Sequence, residues 1–288
     1  MPVVVAAVAV AGALNRRRVT RTIEREYADR FRVDGGGIAE GAQGFVLVGP
    51  IRRALLLLHG SGDTPQSLRY LGERLNAAGY TVHAPLLPGH GRSPRAFASA
   101  TAEDYYEESR RAFDELRARH AWVGVVGLSM GGALAARLAV DETGVRALVL
   151  LAPYLAAPAS VRWALGSSWL WGMSAPYVRG RGEDSVHDAL ERSASRAYGT
   201  FSAGALRALV DTAAAGRSAL SKLVVPTLVI NSEQDNRISR ALAQDSLSAM
   251  PASTERHWMT GCGHVITVDY CKDAVAELVA SFLARHAG

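Results

Sequence analysis

The sequence predicts an α/β fold in which a mostly parallel central sheet is flanked by helices. Three observations predict it. From residue 45 onward, short apolar runs alternate with segments of helical period, the pattern of β-α-β units. A Gly-x-Ser-x-Gly turn at residues 127–131 stands between one such run and an Ala-rich helical segment. Between Pro153 and Val225 the alternation stops, over a stretch too long for a simple loop. A helical insertion is therefore expected there, after a strand's carboxyl end, where open α/β sheets bind ligands.

Residues 1–44 read as an extension ahead of this core. Pro2 to Leu14 is an unbroken apolar run followed directly by Arg16, Arg17 and Arg18. A helix of that length rises roughly 20 Å, short of the about 30 Å hydrocarbon core, so a membrane span is not expected. The positive charges follow the apolar run, whereas a secretory signal carries them in front. Three readings are open: a cleaved signal peptide, against that charge order and with only the small-residue stretch Ala9 to Ala13 resembling a cleavage site; an interfacial helix with arginines at anionic head groups; or a packed or frayed terminal segment. Weak membrane-surface association through residues 1–32 is accordingly one expected contact. The expected compartment is the cytoplasm rather than the exterior. Gly35, Gly36 and Gly37 read as a hinge before the core.

In the core, Phe45 to Val48 and Ala54 to Leu58 read as strands, followed by a helix with Leu68, Leu71 and Leu75 on one face and a strand at Tyr80 to Ala84. Thr101 and Asp104 form a capping-box pattern opening a helix. Its Tyr105, Ser109, Ala112, Phe113 and Leu116 recur at the spacing of a buried stripe. A strand at Val123 to Val126, a helix from Gly131 to Val140 and a strand at Ala147 to Leu151 come next. Within the insertion, helical patterns are expected at Val186 to Tyr198 and Ala205 to Ala215. Strands at Thr227 to Asn231 and Arg256 to Met259 then precede a terminal helix with Val275, Leu278, Val279, Phe282 and Leu283 on one face. The expected organisation is thus an extension at 1–44, a core at 45–152 and 226–288, and a helical cap at 153–225.

Composition narrows the function. The 288 residues are 49% hydrophobic and 20% charged, with net charge +5, within the globular range. Residues 16–32 hold seven Arg against Glu24, Glu26 and Asp29, so the rest of the chain is nearly neutral. With no zinc-finger or RNP-like motif, a nucleic-acid partner is not expected. Neither G-x-G-x-x-G nor G-x-x-x-x-G-K-[ST] occurs, which removes the usual basis for nucleotide binding. Cys262, His264 and Cys271 lack a CxxC pair and a fourth ligand, so no metal is expected. Whether the two cysteines pair stays open. No internal repeat or cofactor motif is present, and nothing sets an oligomeric state.

Glycines on both sides of Ser129 give the room a sharp strand-to-helix turn needs to present a serine hydroxyl above the sheet. A serine hydroxyl attacks efficiently only when a base takes its proton and a third group orients that base. Asp235 follows the strand at Thr227 to Asn231, and His264 follows the one ending near Met259, giving the chain order serine, acid, histidine. Glu233 is the only nearby substitute for the acid. The backbone N–H groups of Ser61 and Met130 would converge on a developing oxyanion. His59 reads as a structural hydrogen-bonder of that loop and His90 as a turn element.

The segments LLLLHGSG at 55–62, PLLPGHGRS at 85–93, GLSMGG at 127–132, PTLVINSEQD at 226–235 and GCGHVITVD at 261–269 resemble those of the α/β-hydrolase superfamily, in particular its small bacterial carboxylesterases and monoacylglycerol lipases. The resemblance runs from about residue 45 to the end. It implies an α/β-hydrolase fold, with Ser129, Asp235 and His264 as catalytic triad and Ser61 and Met130 as oxyanion hole. The branch often has a bulky residue where Ser61 stands. The expected activity is cofactor-free hydrolysis of a small-molecule carboxylic ester through an acyl-enzyme, with a short to medium acyl chain or a monoacylglycerol as substrate. Acyl transfer or peptide hydrolysis would use the same triad, and a non-catalytic binding member of the fold would lose part of it. The insertion carries Trp163, Trp169 and Trp171, which are expected to roof the serine and bind substrate.

Overall fold

A computed structural model describes residues 2–50, 52–180 and 185–287, with side chains from residue 10 onward. Seven strands form one sheet: β1 (Phe45–Leu47), β2 (Arg53–Leu58), β3 (Thr81–Ala84), β4 (Trp122–Leu128), β5 (Val145–Leu151), β8 (Thr227–Ser232) and β9 (Glu255–Met259), in spatial order β1-β3-β2-β4-β5-β8-β9. Every pairing is parallel except β1 with β3. The chain has the α/β-hydrolase architecture.

The four leucines Leu55 to Leu58 show why the central strands read as continuous apolar runs. Leu56 and Leu58 face a layer built by α4 (Ala102–Arg117), α5 (Met130–Asp141) and α9 (Ala203–Ala219), while Leu55 and Leu57 face α2 (Arg69–Ala77) and α11 (Lys272–His286). Both faces of a parallel sheet are covered, so no polar alternation survives. The α4 capping box forms as expected. Thr101 Oγ1 accepts from Asp104 N, and the Asp104 carboxylate accepts from Thr101 N at 2.9 Å.

Over its second half the extension follows the packed one of the expected readings. Pro2 to Arg30 is one helix, α1, and Ile23, Tyr27 and Phe31, spaced one turn apart, are buried. Tyr27 and Phe31 belong to a small core with Phe97, Tyr198 and Ala205, and the Tyr27 and Tyr198 rings stack at 5.3 Å. Arg30 donates to Ala197 O and Ser195 O, the Glu26 carboxylate pairs with Arg179, and Glu24 accepts from Arg95 N at 2.8 Å. The second half of α1 is therefore a brace between core and insertion. In its first half Val10 and Leu14 are exposed. The glycines after it form a fixed turn rather than a hinge: Asp34 Oδ1 accepts from Gly36 N and Ile38 N, and Oδ2 accepts from the Gln43 amide, each at 2.9 Å.

Between β5 and β8 the chain leaves the sheet and builds α6 (Ala159–Gly166), α7 (Ser168–Trp171), β6 (Tyr177–Arg179), α8 (Ala189–Ala194), β7 (Thr200–Ser202) and α9. Strands β6 and β7 pair antiparallel, an element the helical pattern did not announce. The helix expected at Val186 to Tyr198 shrinks to the six residues of α8. Asp188 caps its start, accepting from Leu190 N at 2.9 Å. After Ala194 the backbone is extended, held there by Arg30 from α1. A contact distant in sequence overrides the local helical period.

Candidate active site

The turn after β4 carries the central residue. Ser129 has φ 55° and ψ −117°, a region costly for a non-glycine residue, so the neighbours must hold it. They can because they lack side chains: a Cβ on Gly127 would lie 2.2 Å from Gly131 O, and one on Gly131 would lie 2.0 Å from Leu58 O. The strain lifts the Ser129 hydroxyl to the carboxyl edge of the sheet, at the start of α5.

His264 reaches Ser129 from the loop after β9. Its Nε2 lies 2.8 Å from Ser129 Oγ, and its Nδ1 lies 2.7 Å from Asp235 Oδ2. The side chains of His264 and Asp235 are 6% and 3% exposed. Asp235 Oδ1 accepts from Arg237 N at 2.7 Å and Ile238 N at 2.9 Å. Burial pushes the Asp235 carboxyl up, but His264 and these two amides outweigh it and leave the pKa below the usual value. The group is thus an anion positioned to stabilise an imidazolium. Glu233, the alternative acid, points elsewhere and pairs with Arg240.

Two features of the His264 loop escaped the sequence reading. Asp269 is fully buried, and its carboxylate accepts from four backbone N–H groups: His187 and Gly263 on one oxygen, Asp188 and Tyr270 on the other. Burial raises its pKa, and the four bonds more than reverse that. Asp269 therefore buckles the His264 loop to the cap. Cys262 and Cys271, whose pairing the sequence left open, form a disulfide that brackets the same loop, with Cα atoms 5.8 Å apart. Among the described residues, no cluster of three or more His, Cys, Asp or Glu side chains could hold a metal ion.

Behind Ser61 stand two neutral histidines. His59 Nδ1 donates to Gly60 O at 2.9 Å while Nε2 accepts from Leu87 N at 3.1 Å. His90 Nδ1 donates to Pro88 O and Nε2 accepts from Gly62 N, each at 3.1 Å. Both rings are fully buried, 4.9 Å apart, and each acceptor nitrogen requires the neutral form. Burial lowers the His59 pKa to about 4, and burial together with the neighbouring His59 lowers His90 well below its ordinary 6.5. Asp63, on the same loop and facing His264, is instead raised by burial to about 6.

These shifts fix how stability depends on pH. Between about pH 4 and 6.5 the unfolded chain binds more protons at the two histidines, so their contribution grows as pH rises. Asp63 has the opposite sign between 3.8 and about 6, because its folded form binds the proton more tightly. Two histidines outweigh one aspartate. The melting temperature is expected to climb from pH 4 to pH 6.5, with a shallower climb in His59→Gln. A thermal-melt series that is flat or falls over this range would refute the neutral-histidine brace.

A pocket of about 790 Å³ opens over Ser129 and His264. The expected tryptophan roof is corrected here. Trp163, Trp169 and Trp171 do not line the pocket; Trp163 and Trp169 are 76% and 72% exposed, and Trp171 uses its Nε1 to donate to Ala164 O. The reason is helix geometry. In α6, Val161 and Ala164 are three residues apart and share the face that lines the pocket, which turns Trp163 away from it. Phe201, Leu206 and Leu209 supply the other apolar wall.

The known proteins this chain is similar to make it a hydrolase of the lipase and esterase type. Residues 49–270 match the family described as serine aminopeptidase, S33, and the chain belongs to that family. It is 29% identical over 254 residues to a thermostable monoacylglycerol lipase of Bacillus sp. (strain H-257), covering 87% of this chain and 98% of the relative. It is 26% identical over 235 residues to a carboxylesterase of Bacillus subtilis (strain 168), covering 81% and 93%. Among solved structures, one from a study of two metagenome-derived lipolytic enzymes, LipS and LipT, superposes with TM-score 0.79 at 26% identity, over 86% of this chain and 100% of that one. The monoacylglycerol lipase of Paleococcus ferrophilus superposes with TM-score 0.72 at 19% identity, over 84% and 98%.

Proposed function

We propose that the protein hydrolyses carboxylic esters of short to medium acyl chain, monoacylglycerols among them, through an acyl-enzyme on Ser129. The observation that carries this reading is the unbroken contact chain Ser129, His264, Asp235 at the floor of a largely apolar pocket. Ser129 Oγ adds to the ester carbonyl as His264 Nε2 takes its proton, and the carbonyl π pair moves onto oxygen. His264 returns the proton to the departing alcohol, and water then repeats the sequence to release the acid. The amides of Ser61 and Met130 act as oxyanion hole; Met130 opens α5, where first-turn N–H groups have no partner within the helix.

The acyl chain is assigned to the wall of Val161, Ala164, Leu206 and Leu209. Each methylene buried there adds up to about 0.8 kcal/mol until the pocket ends. We expect kcat/KM for p-nitrophenyl esters to rise from acetyl to an optimum at roughly four to ten carbons and to fall by palmitoyl. A maximum at acetyl would defeat the assignment. Peptide hydrolysis is the second reading, favoured by the family's description, and acyl transfer needs only a different acceptor. Turnover of an aminoacyl p-nitroanilide above that of the butyryl ester would put the peptidase first.

The reading includes a weak membrane contact. No helix among the described residues is long and apolar enough to cross a membrane. The first half of α1 runs beside the cap segment that follows α7, where Asn15 donates to Ser174 O at 2.9 Å and Arg16 to Gly172 O. Val10, Leu14, Leu170 and Met173 are all exposed there, with Arg16, Arg17 and Arg18 next to them. Apolar side chains flanked by cations suit an anionic bilayer surface. The disulfide sits less easily with the cytoplasmic expectation than with an oxidising compartment.

A further inference from the structure

We infer that Ser185, in the cap, is a positioning residue of the hydrolytic site: it ties the turn that carries Asp235 to the loop that carries His264. The inference rests on the ester-hydrolase reading above and deepens it, because that reading takes the contact between Asp235 and His264 as given. The two residues come from different strands, Asp235 from the turn after β8 and His264 from the loop after β9. Their contact, 2.7 Å from Nδ1 to Oδ2, therefore needs something that fixes one loop against the other. On the side preceding both residues the link is direct: the Gln234 side-chain carbonyl accepts from Gly261 N at 3.0 Å. On the side following them it runs through Ser185.

A single buried residue makes the connection. Ser185 Oγ accepts from Arg237 Nε at 2.8 Å and donates to Asn236 Oδ1 at 3.0 Å, so it holds the two residues directly after Asp235. Ser185 O accepts from Val265 N at 3.0 Å, so it also holds the residue directly after His264. A hydroxyl suits the first task because it has a proton for the amide oxygen and lone pairs for the guanidinium. The Asp235 turn moves as one piece with those side chains, since Asp235 Oδ1 itself accepts from Arg237 N and Ile238 N. Fixing residues 236 and 237 thus aims Oδ2 at His264. The next cap residues complete the clamp: Asp269 takes the amides of His187 and Asp188 together with that of Gly263, directly before His264. The backbone on both sides of the histidine is thereby anchored to the cap segment 185–188. Catalytic groups must be held within about 0.5 Å of their working geometry, and a misplacement of about 1 Å costs on the order of 10²-fold. The cap is then part of what aligns the triad as well as a wall of the pocket.

The test places Ser185→Ala in the parent and in Asp235→Asn. On p-nitrophenyl butyrate, Ser185→Ala is expected to lower kcat by roughly 10- to 10²-fold, with KM within about twofold, because the acyl wall assigned above is built by other residues. Ser185→Thr, which keeps a hydroxyl, should recover most of the loss. In Asp235→Asn, where no carboxylate is left to aim, the added Ser185→Ala should change kcat by less than about twofold; a role confined to packing would cost the same factor in both backgrounds. Asp269→Asn keeps the size of the side chain but sets an NH2 group against some of its amide donors. It is expected to show the same split between kcat and KM, and the same loss of effect in Asp235→Asn. A Ser185→Ala enzyme with kcat within twofold of the parent, or either substitution costing the same factor with and without the Asp235 carboxylate, overturns the inference. If instead the parent neither turns over the ester nor takes up a fluorophosphonate at Ser129, the ester-hydrolase reading itself has failed.

Discussion

Ser129→Ala and His264→Ala are each expected to lower kcat on a p-nitrophenyl ester by at least about 10³-fold while leaving the thermal melt nearly unchanged. The size follows from how the residues act. Without His264 the serine keeps its proton, and without Ser129 the imidazole has no nucleophile to activate, so either loss disables the same step. Their double variant should be hardly worse than either single one. Asp235→Asn tests the orienting role separately. It keeps the shape but removes the anion opposite His264 Nδ1, and a loss on the order of 10²- to 10⁴-fold is expected. Near-normal turnover in Ser129→Ala or His264→Ala would sink the mechanism.

Removing residues 1–32 is expected to abolish folding of the cap and with it activity, whereas removing residues 2–14 is expected to leave turnover intact. The longer deletion takes away Ile23, Tyr27 and Phe31, all buried. Each contributes roughly 1.5 to 3 kcal/mol by burial, in a protein whose total stability is on the order of 5 to 15 kcal/mol. It also cuts the Arg30, Glu26 and Glu24 contacts to the cap and to α3 (Pro94–Ser99). The shorter deletion takes no buried side chain among those described at residues 10–14, and should weaken cosedimentation with phosphatidylglycerol vesicles at low salt. A soluble, active chain lacking residues 1–32 would refute the brace. Equal vesicle binding with and without residues 2–14 would end the membrane reading.

The parts legible in the sequence were those fixed by local requirements. A strained serine turn needs glycines within a few residues of it, so residues 127–131 announced both the turn and its flanking strand and helix. Asp235 and His264 were legible because each follows a strand within a few residues in the required chain order. What remained hidden depends on direction or on distant partners. The helical period placed the tryptophans in helices but did not say which side of α6 would meet the pocket, and Val161 and Ala164 took it. The stripe of Ile23, Tyr27 and Phe31 was masked by the surrounding arginines, so a packed terminal segment stood beside an interfacial one with nothing local to choose between them. Asp269 carries no motif. Its function comes from four amides contributed by two segments, at residues 187–188 and 263–270, that meet only in the folded chain.

The central claim is that turnover passes through an ester on Ser129. Rapid-quench mixing of the protein with p-nitrophenyl butyrate, followed by intact-mass and peptide analysis, tests it most directly. The account predicts a p-nitrophenol burst close to one equivalent and a butyryl group on the peptide holding Ser129, absent in Ser129→Ala. Turnover of the parent with no butyryl group on Ser129 at any quench time would contradict it.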